Sequence, residues 1–217
     1  MRKLLSIFII VFVLCSGLNA QQFVQEVNAF ATLDARQSPP DNAVLLIGSS
    51  SFTFWKDVAD YFPDHQFINR AFGGSSLTHL IDYVDKVVYP YKPKQILIYC
   101  GENDIAASKT VTADTVLLRF KTLHRLIREK MPDVPISFVS IKPSPVRAEF
   151  LPTVVESNKR IKKFCKRNKK TDFINVFASM LGEDGKPMEE IFIADRLHMN
   201  AKGYQIWKNV ITPYLIK

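Results

Sequence analysis

The chain is poor in cysteine, with three residues among 217. One of them, Cys15, lies in an N-terminal segment that we expect to be removed, which leaves Cys100 and Cys165. Two cysteines are too few for a scaffold held together by disulfides. Cys100 ends a predicted buried strand, so we interpret it as a small core hydrophobe.

The sequence also lacks internal repeats, low-complexity stretches and linkers rich in glycine or serine. These absences argue against a repeat array and against several domains joined by flexible linkers. The composition, 47% hydrophobic and 23% charged residues, is typical of a globular protein. We therefore predict a single domain over residues 21–217.

Residues 1–20 have the pattern of a secretory signal peptide. Arg2 and Lys3 precede an apolar run over residues 4–14, and the segment ends in small residues at Ala20. The apolar run is too short to span a bilayer. Leu14 stands where lipidation of Cys15 needs a small residue, which argues against a lipid anchor. We expect cleavage after Ala20, export to the periplasm or the outside, and no stable membrane insertion afterwards.

The chain is basic, with a formal net charge of +8. Loss of Arg2 and Lys3 with the signal leaves +6, which serves solubility or attraction to an acidic envelope or polysaccharide. The lysines and arginines of residues 159–170 alternate with apolar residues at helical spacing, which predicts a solvated helix face. We expect no nucleic acid partner.

Short apolar runs alternate with helical patterns along the chain, and the runs lack the polar alternation of half-exposed strands. This indicates an α/β fold of three layers, α/β/α, with a parallel sheet of about five strands. Ligands of such sheets bind beyond the carboxyl ends of the strands. The predicted strands are 43–47, 66–69, 94–99, 136–141 and 172–176, and the predicted helices are 23–36, 55–61, 77–88, 112–131, 150–165 and 201–216.

Ser50 follows the first predicted strand in the block Gly48-Ser49-Ser50-Ser51. A turn from strand to helix lets a serine hydroxyl stand clear of the sheet as a nucleophile. Such a turn can also bind phosphate passively. The sequence lacks both the Gly-Lys-Ser/Thr ending of a phosphate loop and the Gly-x-Ser-x-Gly elbow of α/β-hydrolases.

Two further positions follow the second and third predicted strands. Gly74 would let its backbone N–H approach a substrate oxygen, although Gly73-Gly74 also has the pattern of an ordinary turn. Asn103, in Gly-Glu-Asn-Asp, offers an amide donor for an oxyanion, and a turn or helix cap is its alternative role.

His198 is the candidate base among four histidines, since His79 and His124 fall on predicted helices and His65 lies in a polar turn. Asp195 precedes it by three residues, which in a helical turn brings a carboxylate to the imidazole. Both residues could instead bind a metal or cap the last helix. One histidine with scattered carboxylates is a poor zinc site, so we expect no metal.

Together these blocks resemble the SGNH hydrolases, the group that includes the GDSL esterases and lipases. The family's defining Ser, Gly, Asn and His match Ser50, Gly74, Asn103 and His198, and its Asp matches Asp195. All five positions occur in the family's order, and the resemblance covers residues from about 44 to the C-terminus, the extent of an SGNH hydrolase domain.

One departure is visible within the resemblance. Ser49 stands where the usual Gly-Asp-Ser-Leu block has aspartate, and the adjacent serines make the choice of nucleophile less secure. Trp55 follows the block at the spacing of related sequences and supports Ser50.

The resemblance implies a flavodoxin-like fold and hydrolysis of esters through an acyl-serine intermediate, without a cofactor. Ser50, His198 and Asp195 would be catalytic, and Ser50, Gly74 and Asn103 would form the oxyanion hole. By analogy, the substrate is a small-molecule or carbohydrate ester with a short acyl group, acetyl above all. Independently of the resemblance, residues 142–147 follow the fourth predicted strand and would border the pocket, which makes Arg147 a candidate for contact with an anionic substrate.

Three alternatives stay open at this point. The first is an acylhydrolase of the lysophospholipase or thioesterase type. The second is a non-catalytic carbohydrate-binding protein on the same fold. The third is a metal-dependent hydrolase that uses Glu102, Asp104, Asp195 and His198.

Overall fold

The computed structural model describes residues 23–217, so the predicted signal peptide lies outside the described residues. Residues 39–217 form one compact unit that contains the whole sheet. Helix α1 (Val24–Arg36) belongs to the preceding unit and agrees with the predicted helix 23–36 to within one residue. Within residues 23–217, no helix has the length and hydropathy needed to cross a membrane.

The sheet has five parallel strands in the order β2-β1-β3-β4-β5. This is the strand order of flavodoxin-like sheets, so the predicted fold class is confirmed. The chain order reverses beside β1, which places the loops after β1, β2 and β3 next to one another. The strands are β1 (Val44–Gly48), β2 (Phe67–Asn69), β3 (Gln95–Tyr99), β4 (Ile136–Val139) and β5 (Thr171–Ile174).

Helices cover both faces of the sheet, which gives the three predicted layers. Every residue of β1 and β3 is buried, as their continuous apolar runs predict. On one face the ring of Tyr99 lies 4.8 Å from that of Trp207. On the other face the ring of Phe138 lies 4.6 Å from that of Phe120. Each such large apolar side chain stabilises the fold by about 1.5–3 kcal/mol.

The helices of the sheet unit differ from the sequence prediction at three places. Of the predicted helix 55–61 only Val58–Tyr61 is helical, and a separate short helix, Ser50–Thr53, precedes Trp55, which is buried against Tyr204. The predicted helix 77–88 is interrupted at Tyr83, and the helix Glu102–Ala107 was not predicted. The helices are α2 (Ser50–Thr53), α3 (Val58–Tyr61), α4 (Leu77–Asp82), α5 (Val84–Val87), α6 (Glu102–Ala107), α7 (Ala113–Lys130), α8 (Leu151–Cys165) and α9 (Ala201–Ile211), with 3₁₀ turns at Pro145–Phe150, Ala178–Met180, Glu189–Ile191 and Thr212–Tyr214.

Cys100 and Cys165 are both buried and free. Burial raises the pKa of the Cys165 thiol to about 12 and that of Cys100 well above its ordinary value. Both side chains therefore stay as neutral thiols. The predicted role of Cys100 as a small core residue is confirmed.

Candidate active site

The turn after β1 presents Ser50 at the carboxyl edge of the sheet, as the first residue of α2. Gly48 makes this turn possible, because its φ is +143° and a Cβ there would lie 1.9 Å from the carbonyl oxygen of Tyr99. The hydroxyl of Tyr204 donates to the carbonyl of Ser51 at 2.9 Å and ties the turn to α9. The backbone around Ser50 is thus held from two sides.

His198 lies beside Ser50, although 148 positions separate them in the chain. Its Nε2 is 2.9 Å from Ser50 Oγ, and its Nδ1 is 2.6 Å from Asp195 Oδ2. A carboxylate can only accept, so Nδ1 carries the proton and Nε2 is free to accept one from Ser50. The three predicted residues form one hydrogen-bonded chain.

The loop that carries Asp195 and His198 is an irregular turn, and the expected helical turn is absent. Arg196 adopts a left-handed conformation with φ of 58°, and its guanidinium is anchored on Glu189 by hydrogen bonds of 2.9 and 2.5 Å. Asp195 Oδ1 accepts from the backbone N–H groups of Leu197 and His198 at 2.8 and 2.9 Å. These bonds hold the carboxylate in the orientation that reaches the imidazole.

The environment of Asp195 keeps its carboxyl group ionised. Partial burial raises its pKa, but hydrogen bonds from the backbone and ring of His198 and the backbone of Leu197 outweigh that effect and lower the pKa to about 2. Phe54 packs edge-on against the imidazole at 4.6 Å between ring centroids. The His198 ring is therefore held by a charge on one side and by an apolar contact on the other.

Gly74 and Asn103 flank the Ser50 turn, Gly74 in the loop after β2 and Asn103 in the first turn of α6 after β3. Gly74 has a φ of +78°, and within residues 23–217 its N–H has no hydrogen-bond acceptor. Asn103 Nδ2 donates to Ser49 Oγ and to the carbonyl of Ser75, both at 3.0 Å. The N–H of Ser50 also donates to Ser49 Oγ, at 2.7 Å. Two of the three predicted oxyanion donors thus converge on a single oxygen.

The side chain of Arg147 turns towards Asn103. Its Nη2 donates to Asn103 Oδ1 at 2.9 Å, and its Nη1 lies 3.6 Å from Glu102 Oε1. A guanidinium has only donors, so the atom facing it must be Oδ1, and Nδ2 must face Ser49. Arg147 therefore fixes the orientation of the Asn103 amide.

A buried cluster of charged groups, which sequence reasoning missed, contacts Arg147 through Glu102. Lys142 Nζ donates to Glu102 Oε2 and to Ser144 Oγ at 2.6 Å, and Ser144 Oγ donates to Glu102 Oε1 at 2.5 Å. Burial raises the pKa of Glu102, but the nearby charges of Lys142 and Arg147 outweigh it and lower the pKa. Glu102 is thus a buried anion that anchors the loop of Arg147.

Asp195 and His198 contact each other, but the other two residues of the metal-dependent alternative, Glu102 and Asp104, have partners elsewhere. Asp104 accepts from the N–H of Leu77 at 2.9 Å and from Arg119 at 2.7 Å, whereas Glu102 belongs to the cluster with Lys142. In the described part of the chain, no group of three or more potential metal-ligating side chains is assembled. Asp104 and Glu102 instead serve the packing of the loop after β3.

A parallel sheet with a hydrogen-bonded Ser-His-Asp chain at its carboxyl edge is the architecture of an α/β serine hydrolase. Residues 46–206 match the GDSL-like Lipase/Acylhydrolase family, and the chain belongs to this family. The resemblance stated from the sequence is thereby confirmed. No curated protein matches the chain.

Three solved structures share the fold at low sequence identity. A GDSL-like lipase from Bacteroides thetaiotaomicron is 21% identical, with a TM-score of 0.74 over 87% of this chain and 96% of that one. A carbohydrate esterase family 3 protein from Talaromyces cellulolyticus is 15% identical, with a TM-score of 0.66 over 80% and 95%. An acetyl esterase variant with acetate ion is 16% identical, with a TM-score of 0.63 over 80% and 95%.

Proposed function

We propose that this protein is an exported serine esterase that removes short acyl groups, acetyl above all, from carbohydrates. The observation that carries the proposal is the chain from Ser50 Oγ through His198 to Asp195, with distances of 2.9 and 2.6 Å, at the carboxyl edge of the sheet. No cofactor is needed for this chemistry, because nucleophile, base and oxyanion donors are all protein groups.

In the proposed reaction Ser50 Oγ attacks the ester carbonyl carbon while His198 Nε2 takes the hydroxyl proton. Asp195 holds the ring and stabilises the imidazolium that forms. The imidazolium then protonates the departing alcohol, which leaves an acyl group on Ser50. A water molecule, activated by His198 in the same way, attacks the acyl carbon and releases the acid.

The oxyanion of each tetrahedral intermediate would be held by the N–H groups of Ser50 and Gly74 and by Asn103 Nδ2. In the free protein the hydroxyl of Ser49 accepts from two of these donors. A substrate oxygen would take that acceptor position as the Ser49 side chain turns away. Donors that already point to one oxygen need little rearrangement, which is the basis of electrostatic preorganisation.

The substrate class rests on analogy, on one apolar contact and on the charge of the chain. The carbohydrate esterase and the acetyl esterase named above share only the fold with this chain, so they suggest a class of substrate. Beside His198, the half-exposed ring of Phe54 offers an apolar contact for an acyl group. The basic, exported chain suits a carbohydrate of the cell envelope.

The test of the proposal is the specificity constant for a series of aryl esters with acyl chains of two to twelve carbons. We expect the highest value at two or three carbons, because methylene groups left in water forfeit about 0.8 kcal/mol each. Acetate release from acetylated sugars should follow. A constant that climbs steadily to long chains would favour the lysophospholipase or thioesterase alternative.

The same assay separates the remaining alternatives. A serine-directed phosphonate should abolish activity and label Ser50, as shown by mass spectrometry of the modified peptide. A chelator should have no effect. Activity that is lost to the chelator and indifferent to the phosphonate would replace the proposal by metal-dependent hydrolysis, and no activity on any ester would favour the binding protein.

Arg147 would act through Asn103 as a positioning residue. Asn103→Ala should lower kcat about 100- to 1000-fold by removing an oxyanion donor. Arg147→Met should lower kcat about tenfold, since the Asn103 amide loses a charged hydrogen-bond partner. In the Asn103→Ala background, Arg147→Met should cause no further fall in kcat.

The double variant also tests the expected contact between Arg147 and an anionic substrate. If the two substitutions act additively, and Arg147→Met raises KM only for acidic substrates, the substrate contact is correct and the positioning role is wrong. Melting temperatures of all three variants control for misfolding. Gly74 cannot be tested by removing its side chain, so Asn103 is the accessible donor.

A further inference from the structure

A long groove runs between α7 and α8, away from the candidate active site. It consists of two adjoining cavities of about 750 and 600 Å³ that share Lys121, Phe164 and Asn168. Both helices connect the carboxyl end of one parallel strand to the amino end of the next. The residues near their C-termini, which line the larger cavity, therefore lie at the amino edge of the sheet, opposite Ser50.

The net positive charge of the described residues is concentrated in this groove. Nine cationic and two acidic side chains line the two cavities, a net charge of +7. The described residues together carry +6, since Arg2 and Lys3 of the full +8 lie outside them. The other described residues together therefore have a net charge of −1. Such a concentration of one sign in a cleft raises the local potential and attracts ions of the opposite sign.

Some of these cations already have partners within the protein. Arg128 donates to the carbonyl of Lys170 at 2.7 Å, and Lys170 pairs with Asp133 at 2.7 Å. Arg160 pairs with Glu156 at 2.8 Å. These residues build the walls of the groove and are not free to bind a ligand.

Four cations of the groove have no acidic partner within residues 23–217: Lys121, Lys163, Arg167 and Lys169. We call the channel that they line the basic groove. Lys163 and Arg167 are four positions apart on the α8 side, and Lys121 faces them from α7. This arrangement provides charges along both sides of a channel, which fits a linear polyanion better than a single small anion.

The apolar and aromatic residues of the basic groove indicate which kind of anionic partner fits it. Among the large apolar residues that line the basic groove, Leu118 alone is strongly exposed, at 65%. Membrane association requires several apolar side chains that enter the lipid, so a lipid surface fits the groove poorly. The Phe164 ring packs against Phe120 at 5.6 Å and His124 at 5.1 Å. Lys121 Nζ also lies 5.9 Å from the centroid of this ring, so a base could stack on it only by displacing that ammonium group.

We propose that the basic groove binds an anionic polysaccharide, with its carboxylate or sulfate groups paired to the four cations that lack an acidic partner. Binding at the amino edge of the sheet would leave the carboxyl edge with Ser50 facing away from the anchoring polymer. The inference does not depend on the proposed esterase activity. A protein without that activity would bind through the same surface.

The test compares binding of dextran sulfate, polygalacturonate and neutral dextran by isothermal calorimetry at low and high salt. The groove variant combines Lys163→Gln, Arg167→Gln and Lys169→Gln. The control variant removes the same charge elsewhere by Lys56→Gln, Lys202→Gln and Lys217→Gln, all of them exposed positions. We expect the wild type to bind one or both charged polymers, with affinity that falls as salt rises.

The groove variant should bind the charged polymer roughly tenfold more weakly than the wild type, since exposed ion pairs contribute a few-fold each. The control variant and Ser50→Ala should bind within twofold of the wild type. Both triple variants should keep the wild-type melting temperature and rate on an aryl ester.

Three results would overturn the inference. The first is equal loss of affinity in the groove and control variants, which would mean attraction by net charge alone. The second is equal binding of neutral dextran. The third is preferential binding of phosphatidylglycerol vesicles or a single-stranded oligonucleotide, with dextran sulfate and polygalacturonate left unbound.

Discussion

Ser50→Ala should lower kcat/KM for an aryl ester about 10⁴-fold or more, with an unchanged fold. Alanine leaves the oxyanion donors and His198 in place but removes the hydroxyl oxygen that lies 2.9 Å from the imidazole Nε2. Loss of the nucleophile in a serine hydrolase lowers the rate by about this factor. Nucleophile, base and carboxylate act as a unit, so removing one of them removes nearly all of their joint effect. The measurement is steady-state kinetics with the melting temperature as the check on folding.

The neighbouring serines supply matched controls for Ser50→Ala. Ser49→Ala should keep activity within about tenfold of the wild type, since it removes an acceptor that competes with substrate for two donors. Ser51→Ala should also act weakly, because the Ser51 carbonyl, which bonds Tyr204, is retained. Near-normal turnover of Ser50→Ala with loss of activity in Ser51→Ala would shift the nucleophile by one residue.

The strands were predictable because each is a short apolar run whose burial on both faces removes the usual alternation. Ile96 to Tyr99 is such a run, and the structure has a strand there. Helix α6 was not predictable in the same way. Its first turn contains Glu102 and Asp104, both buried, and their partners Lys142 and Arg119 lie far along the chain. Only tertiary structure shows why these carboxylates are tolerated.

The candidate site was predictable in its residues and not in its contacts. Position after the predicted strands selected Ser50, Gly74 and Asn103, and the aspartate three residues before it selected His198. The spacing gave no indication that Arg147 bonds Asn103 across 44 positions. It also gave no indication that Ser49, which departs from the family pattern, accepts hydrogen bonds from two oxyanion donors, the N–H of Ser50 and the amide of Asn103. Such contacts depend on loop conformations that a pattern of residue types does not specify.

The basic groove shows the same limit at the surface. Residues 159–170 alone predict a solvated helix face, which the structure confirms as far as Cys165, whereas residues 166–170 form an exposed turn after the helix. The second side of the groove comes from α7, which packs against α8. Lys121 is about forty residues from Lys163 and Arg167, so its position opposite them follows from the sheet topology.

Asp195→Asn should lower kcat about 10³- to 10⁴-fold without unfolding the protein. The asparagine oxygen can still accept from the N–H groups of Leu197 and His198, which preserves the loop. The uncharged amide no longer stabilises an imidazolium, and its NH₂ group favours the tautomer with the proton on Nε2. That tautomer cannot accept the Ser50 proton, so the chemical step fails while the affinity for substrate changes little.

The pH dependence distinguishes this role of Asp195 from a structural one. Wild-type kcat/KM should rise with pH, because only the neutral imidazole of His198 can accept the Ser50 proton and protonation at low pH removes that base. Asp195, with a pKa of about 2, stays charged from pH 4 to 8 and adds no second step in that range. In Asp195→Asn the rate should stay low at every pH in that range, since no carboxylate stabilises the imidazolium that forms during the reaction. A flat wild-type profile would exclude His198 as the base. A wild-type rate and profile in Asp195→Asn would remove the aspartate from the mechanism.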